Sequence, residues 1–240
     1  MADELPIASG DAEHWRTQYN EIAASAGRLA HEVRNPLSTI GLNLELIEEE
    51  LRESDAARDR RMHKKVQTLQ RECQHLNLIV ENFLQFVRTG AADRVSMILN
   101  EPVGEFIEIF RPVAAAQHVE LVPHLAAQLS PVLLDGRMFR QVLFNLCQNA
   151  LHAMPDGGQL ELLTYERNGE VVLEIIDTGK GMDERTQSRM FDPFFTTRDD
   201  GTGLGLATVQ RIVMTHEGKI ECESALNRGT RFRIRLPVAP

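Results

Sequence analysis

Leu29-Ala-His-Glu-Val-Arg-Asn-Pro-Leu-Ser-Thr-Ile40 holds two features that pull against each other. Leu29, Val33, Leu37, Ile40, Leu44, Ile47 and Leu51 recur at spacings of four and three, which predicts one apolar stripe along a long helix from about Glu13 to Glu53. Pro36 falls inside that stripe, where its missing amide and its clash with the Glu32 carbonyl cost a helix about 3 kcal/mol. A helix that continues through a proline bends there, loosening the turn beside His31. His31 is two positions from both Leu29 and Val33, so it faces away from the stripe toward solvent. An exposed imidazole beside a carboxylate can act as a nucleophile, with Glu32 taking one proton while the other nitrogen attacks. Taken alone, the pair reads more readily as an ordinary surface His-Glu step.

Beyond a polar stretch, Ser54 to Arg60, the same alternation returns in Val66, Leu69, Cys73, Leu76, Val80, Phe83 and Val87. Two long helices joined by a short turn fold back antiparallel. Leu42, Leu46, Ile79 and Phe86 lie off the main stripes, so a lone hairpin leaves apolar surface wet. Pairing two hairpins into a four-helix bundle covers it, because this period favours shallow crossing angles. The expectation is a homodimer.

Gly90 to Asp93 closes the second helix and forms the natural linker. Beyond it the texture is mixed. Strands are predicted at Val95–Leu99, Val119–Leu125, Val132–Leu134, Gln159–Glu166, Val171–Asp177, Lys219–Glu223 and Arg231–Leu236. Helices are predicted at Pro102–Gln117 capped by Asn100, at Gly136–Met154 capped by Asp135, and at Leu204–His216. The fold expected is an all-α helical hairpin, dimerising into a four-helix bundle, followed by an α+β two-layer sandwich. The domains read as a flexible start over 1–12, the hairpin over 13–90 and the sandwich over 94–240.

The net charge of −9 argues against a nucleic-acid partner, which would ask for a basic face. The cluster of Arg58, Arg60, Arg61, Lys64 and Lys65 reads as a solvated turn and helix start. No apolar run nears the roughly 20 residues that span a bilayer, and no signal-peptide layout opens the chain, so a cytoplasmic location is expected. Cys73, Cys147 and Cys222 are scattered among apolar residues and read as reduced thiols.

Four further stretches carry chemistry. Asn145 and Asn149, four apart, share one helix face, and two amide oxygens can ligate a hard cation that keeps most of its water, as Mg²⁺ does. Asp177-Thr-Gly-Lys-Gly-Met182 follows a buried strand. A carboxylate there can hold an exocyclic amine while Gly179 and Gly181 let the backbone approach a flat ring. Gly201-Thr-Gly-Leu-Gly-Leu206 leads into a helix, where amide donors and the positive dipole end suit phosphate. Phe191-Asp-Pro-Phe-Phe-Thr-Thr-Arg198, with little regular pattern, suggests a flap anchored by aromatics.

Together, in this order, the stretches resemble the two-component sensor histidine kinases, from about residue 21 to 237. His31 to Pro36 is similar to the H-box, Asn145 to Asn149 to the N-box and Asp177 to Gly181 to the G1 box. Phe191 to Thr197 and Gly201 to Gly205 are similar to the F-box and G2 box. His-Glu-Val-Arg-Asn-Pro-Leu with Asn-Ala-Leu-His-Ala-Met resembles the nitrogen-regulator-like branch. The resemblance implies a Bergerat ATP-binding fold with ATP and Mg²⁺, a response regulator receiver domain as partner, and His31 as phospho-acceptor with Glu32 its base. It implies Asn149 as the Mg²⁺ ligand supported by Asn145, Asp177 on the adenine amine with Gly179 and Gly181 lining the base, and Thr230 at the adenine end. Thr197, Arg198, Gly201, Gly203, Leu204 and Gly205 would form the phosphate side. His152 and Arg198 stand where relatives often carry lysine. Asn35 is implied in orienting water to dephosphorylate the partner. The hydrolysing machines of the same superfamily use a carboxylate where this chain has Asn145. A sensory input is expected either from a separate protein docking on the bundle or from a longer chain of which this is a piece.

Overall fold

The computed structural model describes residues 33–34, 37–49, 57–87, 92–193, 195–198 and 201–240. His31, Glu32, Asn35 and Pro36, with the linker residues Gly90 and Ala91, lie outside the described residues. The chain separates into two compact units that meet at residues 88–89.

Among its described residues the first unit holds α1 over residues 37–49 and α2 over Ala57–Val87, with residues 33–34 helical as well. Leu37 and Leu44 of α1 cluster with Val66 and Cys73 of α2. Each pair is spaced by seven, so one edge of each stripe forms the seam that holds the hairpin. His63 Nε2 of α2 lies 3.6 Å from Glu48 Oε1 of α1. The other edge of the stripes faces outward in this chain: Ile40 is 48% exposed, Leu69 52% and Leu76 44%.

The second unit is a two-layer sandwich. Its main sheet has the order β2-β4-β5-β7-β6, from β2 (Val119–Leu125), β4 (Gly158–Arg167), β5 (Glu170–Asp177), β7 (Thr230–Pro237) and β6 (Lys219–Ser224). Only the β2–β4 pair is parallel. A separate antiparallel pair joins β1 (Val95–Met97) to β3 (Val132–Leu134). Helices α3 (Asn100–Ala116), α4 (Gly136–Ala153) and α6 (Gly205–Thr215) contribute to the core that buries one face of the sheet, and a short α5 spans Glu184–Arg189. On that inner face Leu160 and Leu162 of β4, Val171, Leu173 and Ile175 of β5, and Phe232, Ile234 and Leu236 of β7 are all buried. This is the period-2 alternation of a half-buried antiparallel sheet. The outer face carries an ion-pair ladder. Arg233 Nε donates to Glu174 Oε1 at 2.6 Å and the Tyr165 hydroxyl donates to the same oxygen at 2.9 Å, which together hold the Glu174 carboxyl below its ordinary range despite burial.

The sequence-predicted strands recur, with β1 ending at Met97 rather than Leu99. Asp135 caps α4 as expected, accepting from the amides of Arg137 at 3.0 Å and Met138 at 3.2 Å. Asn100 does not cap α3. It is the first residue of the helix, and Leu99 at the cap position makes no side-chain cap bond. Instead Asn100 Nδ2 donates to the Ala126 carbonyl and its Oδ1 accepts from Thr164 Oγ1, both at 2.8 Å. That bridge ties the start of α3 to the end of β2 and to β4. Cys73 and Cys147 are buried free thiols, Cys222 is half-buried, and burial pushes the Cys222 thiol up to about 12.

Candidate nucleotide site

Asp177 is the last inward-facing residue of β5. The side chains before it on that face, Val171, Leu173 and Ile175, are apolar, so the strand's own alternation drives a carboxylate into the rim of the core. It is 6% exposed. Burial pushes the carboxyl above its ordinary value, against hydrogen bonds from the Gly179 and Thr230 amides that favour the charged form. The Gly179 amide donates to Oδ1 at 2.9 Å. Such a desolvated acceptor suits an amine donor that fills its remaining lone pairs.

The glycines around it are demanded by close packing. A side chain at Gly179 would meet the Ala153 carbonyl at 2.6 Å, at the C-terminal end of α4, and the Lys180 amide donates to that same carbonyl at 3.0 Å. Gly181 has φ +63° and Gly229 φ +78°, both left-handed, and a Cβ at Gly229 would collide with the Asp177 carbonyl. Thr230, buried and opposite Asp177 in the β5–β7 register, is tied to Ser224 Oγ at 3.1 Å. Ser224 Oγ also accepts from the Met182 amide at 2.9 Å and donates to the Gly229 carbonyl at 2.9 Å. Ser224 and Gly229 were not anticipated as site residues. The Gly-Thr step at 229–230 is the only trace of this junction in the sequence.

Asn145 and Asn149 sit half-buried on one face of α4, as their spacing predicts. Asn145 Nδ2 donates to the Gly205 carbonyl at 3.2 Å, which binds the amide helix to the glycine-led helix and leaves Asn145 Oδ1 available as an acceptor. Leu204, 1% exposed, anchors the start of α6, and its carbonyl accepts from Thr208 Oγ1 at 2.7 Å. Gly203 adopts φ +67° and a Cβ at Gly201 would collide with Thr196 Oγ1. Arg198 reaches back to α4, its Nη1 donating to His152 Nδ1 at 2.6 Å, so His152 carries its proton elsewhere on the ring. Thr197 is exposed. The flap is anchored by Phe191, packed on the core, and by Phe195, whose ring lies 4.4 Å from the Arg189 guanidinium. Just before it, the short helix α5 has no counterpart among the predicted elements. Asp183 caps it, accepting from the Thr186 amide at 2.7 Å, and none of its residues is buried, so no apolar stripe could reveal it.

Two groups of sequence-predicted residues are therefore brought together within the second unit: Asp177, Gly179 and Thr230 at the sheet end, and Asn145 with Gly205 and His152 with Arg198 along α4. Residues 25–92 match the His Kinase A (phospho-acceptor) domain, and residues 134–240 match the histidine kinase-, DNA gyrase B- and HSP90-like ATPase family. The chain carries the paired domains of the histidine kinases. This histidine kinase chain is 36% identical over 215 residues to the sensor histidine kinase ZraS of Klebsiella oxytoca, covering 89% of this chain and 45% of the relative. It is 32% identical over 214 residues to the histidine-protein kinase AtoS of Escherichia coli K12, covering 88% and 34% respectively. The kinase chain thus spans less than half the length of either relative. Among solved structures, full-length ShkA in complex with AMPPNP is 27% identical with a TM-score of 0.70, over 90% of this chain and 46% of that one. The catalytic domain of the histidine kinase ThkA is 29% identical with a TM-score of 0.56, over 60% and 95%. Among the described residues, no helix is long and apolar enough to cross a membrane.

Proposed function

We propose that this chain is an ATP-dependent protein histidine autokinase that phosphorylates His31 and passes the phosphoryl group to an aspartate of a response regulator. The observation that carries this reading is the buried Asp177 carboxylate, flanked by Gly179 and Gly181 and closed by Thr230, in a chain that also holds an H-box histidine. A carboxylate kept in a nearly dry setting is costly unless a ligand donor completes it, and the exocyclic amine of adenine is such a donor. Gly201, Gly203, Leu204 and Gly205 would meet the phosphates at the start of α6, with Thr197, Arg198 and His152 beside them. Among the described residues no cluster of three or more His, Cys, Asp or Glu could cage a metal. Asn149 and Asn145 Oδ1 fit Mg²⁺ instead, a cation that takes few protein ligands and shares itself with phosphates. Mg²⁺ neutralises charge on the transferring phosphoryl group when bound. In the transfer itself an imidazole nitrogen of His31 bonds the γ-phosphorus as the bond to ADP breaks, and Glu32 accepts the proton from the other nitrogen.

The outward apolar edge of the hairpin supports a homodimer, through which two chains form the bundle that presents His31 to the receiver domain. Asn35 would orient the water that dephosphorylates the regulator. The domains follow as 13–90 for dimerisation and phosphotransfer and 94–240 for catalysis, within the nitrogen-regulator-like branch. A cytoplasmic location for both is in keeping with the use of ATP, with the stimulus delivered by another protein or by further chain. Incubation with γ-labelled ATP and Mg²⁺ tests the reading. Acid-labile, base-stable label that disappears in His31→Ala supports it, whereas release of free phosphate without protein label overturns it.

A further inference from the structure

Helices α4 and α6 are fastened to each other at two places. The first is the Asn145–Gly205 bond beside the glycine-led start of α6. The second lies at the opposite end, where His216 follows α6 and Asp135 precedes α4. There His216 Nε2 accepts from the Asp135 amide at 2.9 Å, while its Nδ1 donates to the Ile212 carbonyl at 2.7 Å. Both side chains are sealed, His216 at 2% and Asp135 at 4% exposure. The imidazole is thus a neutral, single-tautomer bridge with no polar valence to spare.

The spacing of the two fastenings is what gives the bridge meaning. From Asn145 back to Asp135 is about 15 Å along α4, and from Gly205 forward to His216 is about 16 Å along α6, at 1.5 Å per residue. The helices run antiparallel between two pins of matching length, so neither can slide or tilt at one end without moving at the other. Asp135 also accepts the Asp93 amide at 3.2 Å, and Arg94 pairs with Glu217 at 2.6 Å, so the segment that leads into this unit is fastened to the same pin.

We propose that His216 is a positioning residue for nucleotide phosphates: by bridging α6 to the cap of α4 it sets where the glycine-led start of α6 stands relative to the Asn145–Asn149 face. The inference rests on the reading of that helix start as the phosphate site. Its reach is specific. Asp177 stands on the sheet, and the turn after it is bonded to α4 at Ala153, so shifting α6 against α4 acts on phosphate binding and spares the adenine end.

The test uses the full chain and two substitutions. His216→Asn keeps a donor for the Ile212 carbonyl but is too short to accept from Asp135, and His216→Gln extends an acceptor to the Nε2 position. Affinities for Mg-ATP and for adenosine are measured on each, with the ligand-free thermal midpoint. His216→Asn is expected to weaken Mg-ATP about tenfold, as loss of one positioning hydrogen bond would. Adenosine affinity stays at the wild-type value, and His216→Gln restores most of the Mg-ATP affinity. A variant that melts earlier but binds both ligands as wild type does, or loses both in equal proportion, overturns the proposal and leaves His216 a stability residue. Should His216→Asn not fold, His216→Gln still decides: an ATP-to-adenosine ratio far from wild type, with the acceptor in place, refutes it. Failure of the wild-type chain to bind ATP refutes the underlying function, a separate outcome.

Discussion

Replacing Asp177 by Asn separates what the carboxylate does for ligand from what it does for the fold. The Gly179 amide donates to Oδ1, and the carboxylate lone pairs that the Gly179 and Thr230 amides do not use remain for a ligand amine. Asparagine offers only one oxygen. If that oxygen faces Gly179, the NH₂ opposes the adenine amine, and if the amide flips, the NH₂ opposes the Gly179 amide. One donor meets another either way. Losing a hydrogen bond to a charged acceptor costs about 1.5–3 kcal/mol, and at about 1.4 kcal/mol per tenfold this weakens ATP by roughly 10- to 150-fold. The effect on the empty protein has the opposite sign. Burial raises the Asp177 carboxyl above its ordinary value, so the native state holds that proton more tightly than the unfolded chain. Its stability contribution is present at low pH and lost as pH rises through the folded value, which leaves the carboxylate a burden at neutral pH. Asp177→Asn removes that burden, and the ligand-free thermal midpoint is expected to equal or exceed wild type at pH 7.5. Calorimetric titration with Mg-ATP and a thermal melt of the same sample check both halves. ATP affinity within twofold of wild type, or a midpoint several degrees lower, would refute the reasoning.

Gly229→Ala forces a left-handed backbone on a residue with a Cβ and drives that Cβ into the Asp177 carbonyl; a loss of about 1–3 kcal/mol in urea-unfolding stability is expected, with ATP binding reduced as well. Burial lowers the His216 pKa below its ordinary 6.5, with Arg94 acting the same way and Asp135 partly opposing. The native state therefore binds this proton more weakly than the unfolded chain. Its contribution is complete above about pH 6.5 and is lost as pH falls below that value, so the urea midpoint should drop between pH 7 and 5.5, with a shallower drop in His216→Asn. Leu76→Glu places a charge on the outward edge of α2, 44% exposed in the single chain. Under the proposed homodimer, sedimentation should show monomer for the variant and dimer for wild type, while the full-chain variant binds ATP with unchanged affinity.

Much of this fold could be read in advance because it is local. The alternation along β4, β5 and β7 and the three-four spacing of α4 are visible residue by residue, and Gly179, Gly181 and Gly203 punctuate the turns where backbones crowd. What escaped depends on partners far apart in sequence. Asn100 looks like a helix cap to any local rule, yet its amide is used by Ala126 and Thr164, and the polar side chain was spent on a bridge between layers. His216 has no recognisable neighbour in sequence, because its partner is an amide more than eighty residues earlier. Ser224 joins the Met182 turn to Gly229 through a network only the β6–β7 register creates. The phosphotransfer stretch rests on sequence alone, since His31, Glu32 and Asn35 lie outside the described residues.

The outward apolar edge of the hairpin would give the two units of the chain different dependence on dilution. The sandwich closes its own core, so its unfolding is first-order and indifferent to protein concentration. In the proposed homodimer the hairpin, with Leu37, Leu44, Val66 and Cys73 inside and Ile40, Leu69 and Leu76 outside, covers that outward edge against a second chain. Its folding then follows mass action, and its midpoint climbs with concentration while that of the sandwich stays fixed. On that reading, the copy number of the chain would set how much of the phospho-acceptor unit exists in assembled form, independent of any ligand.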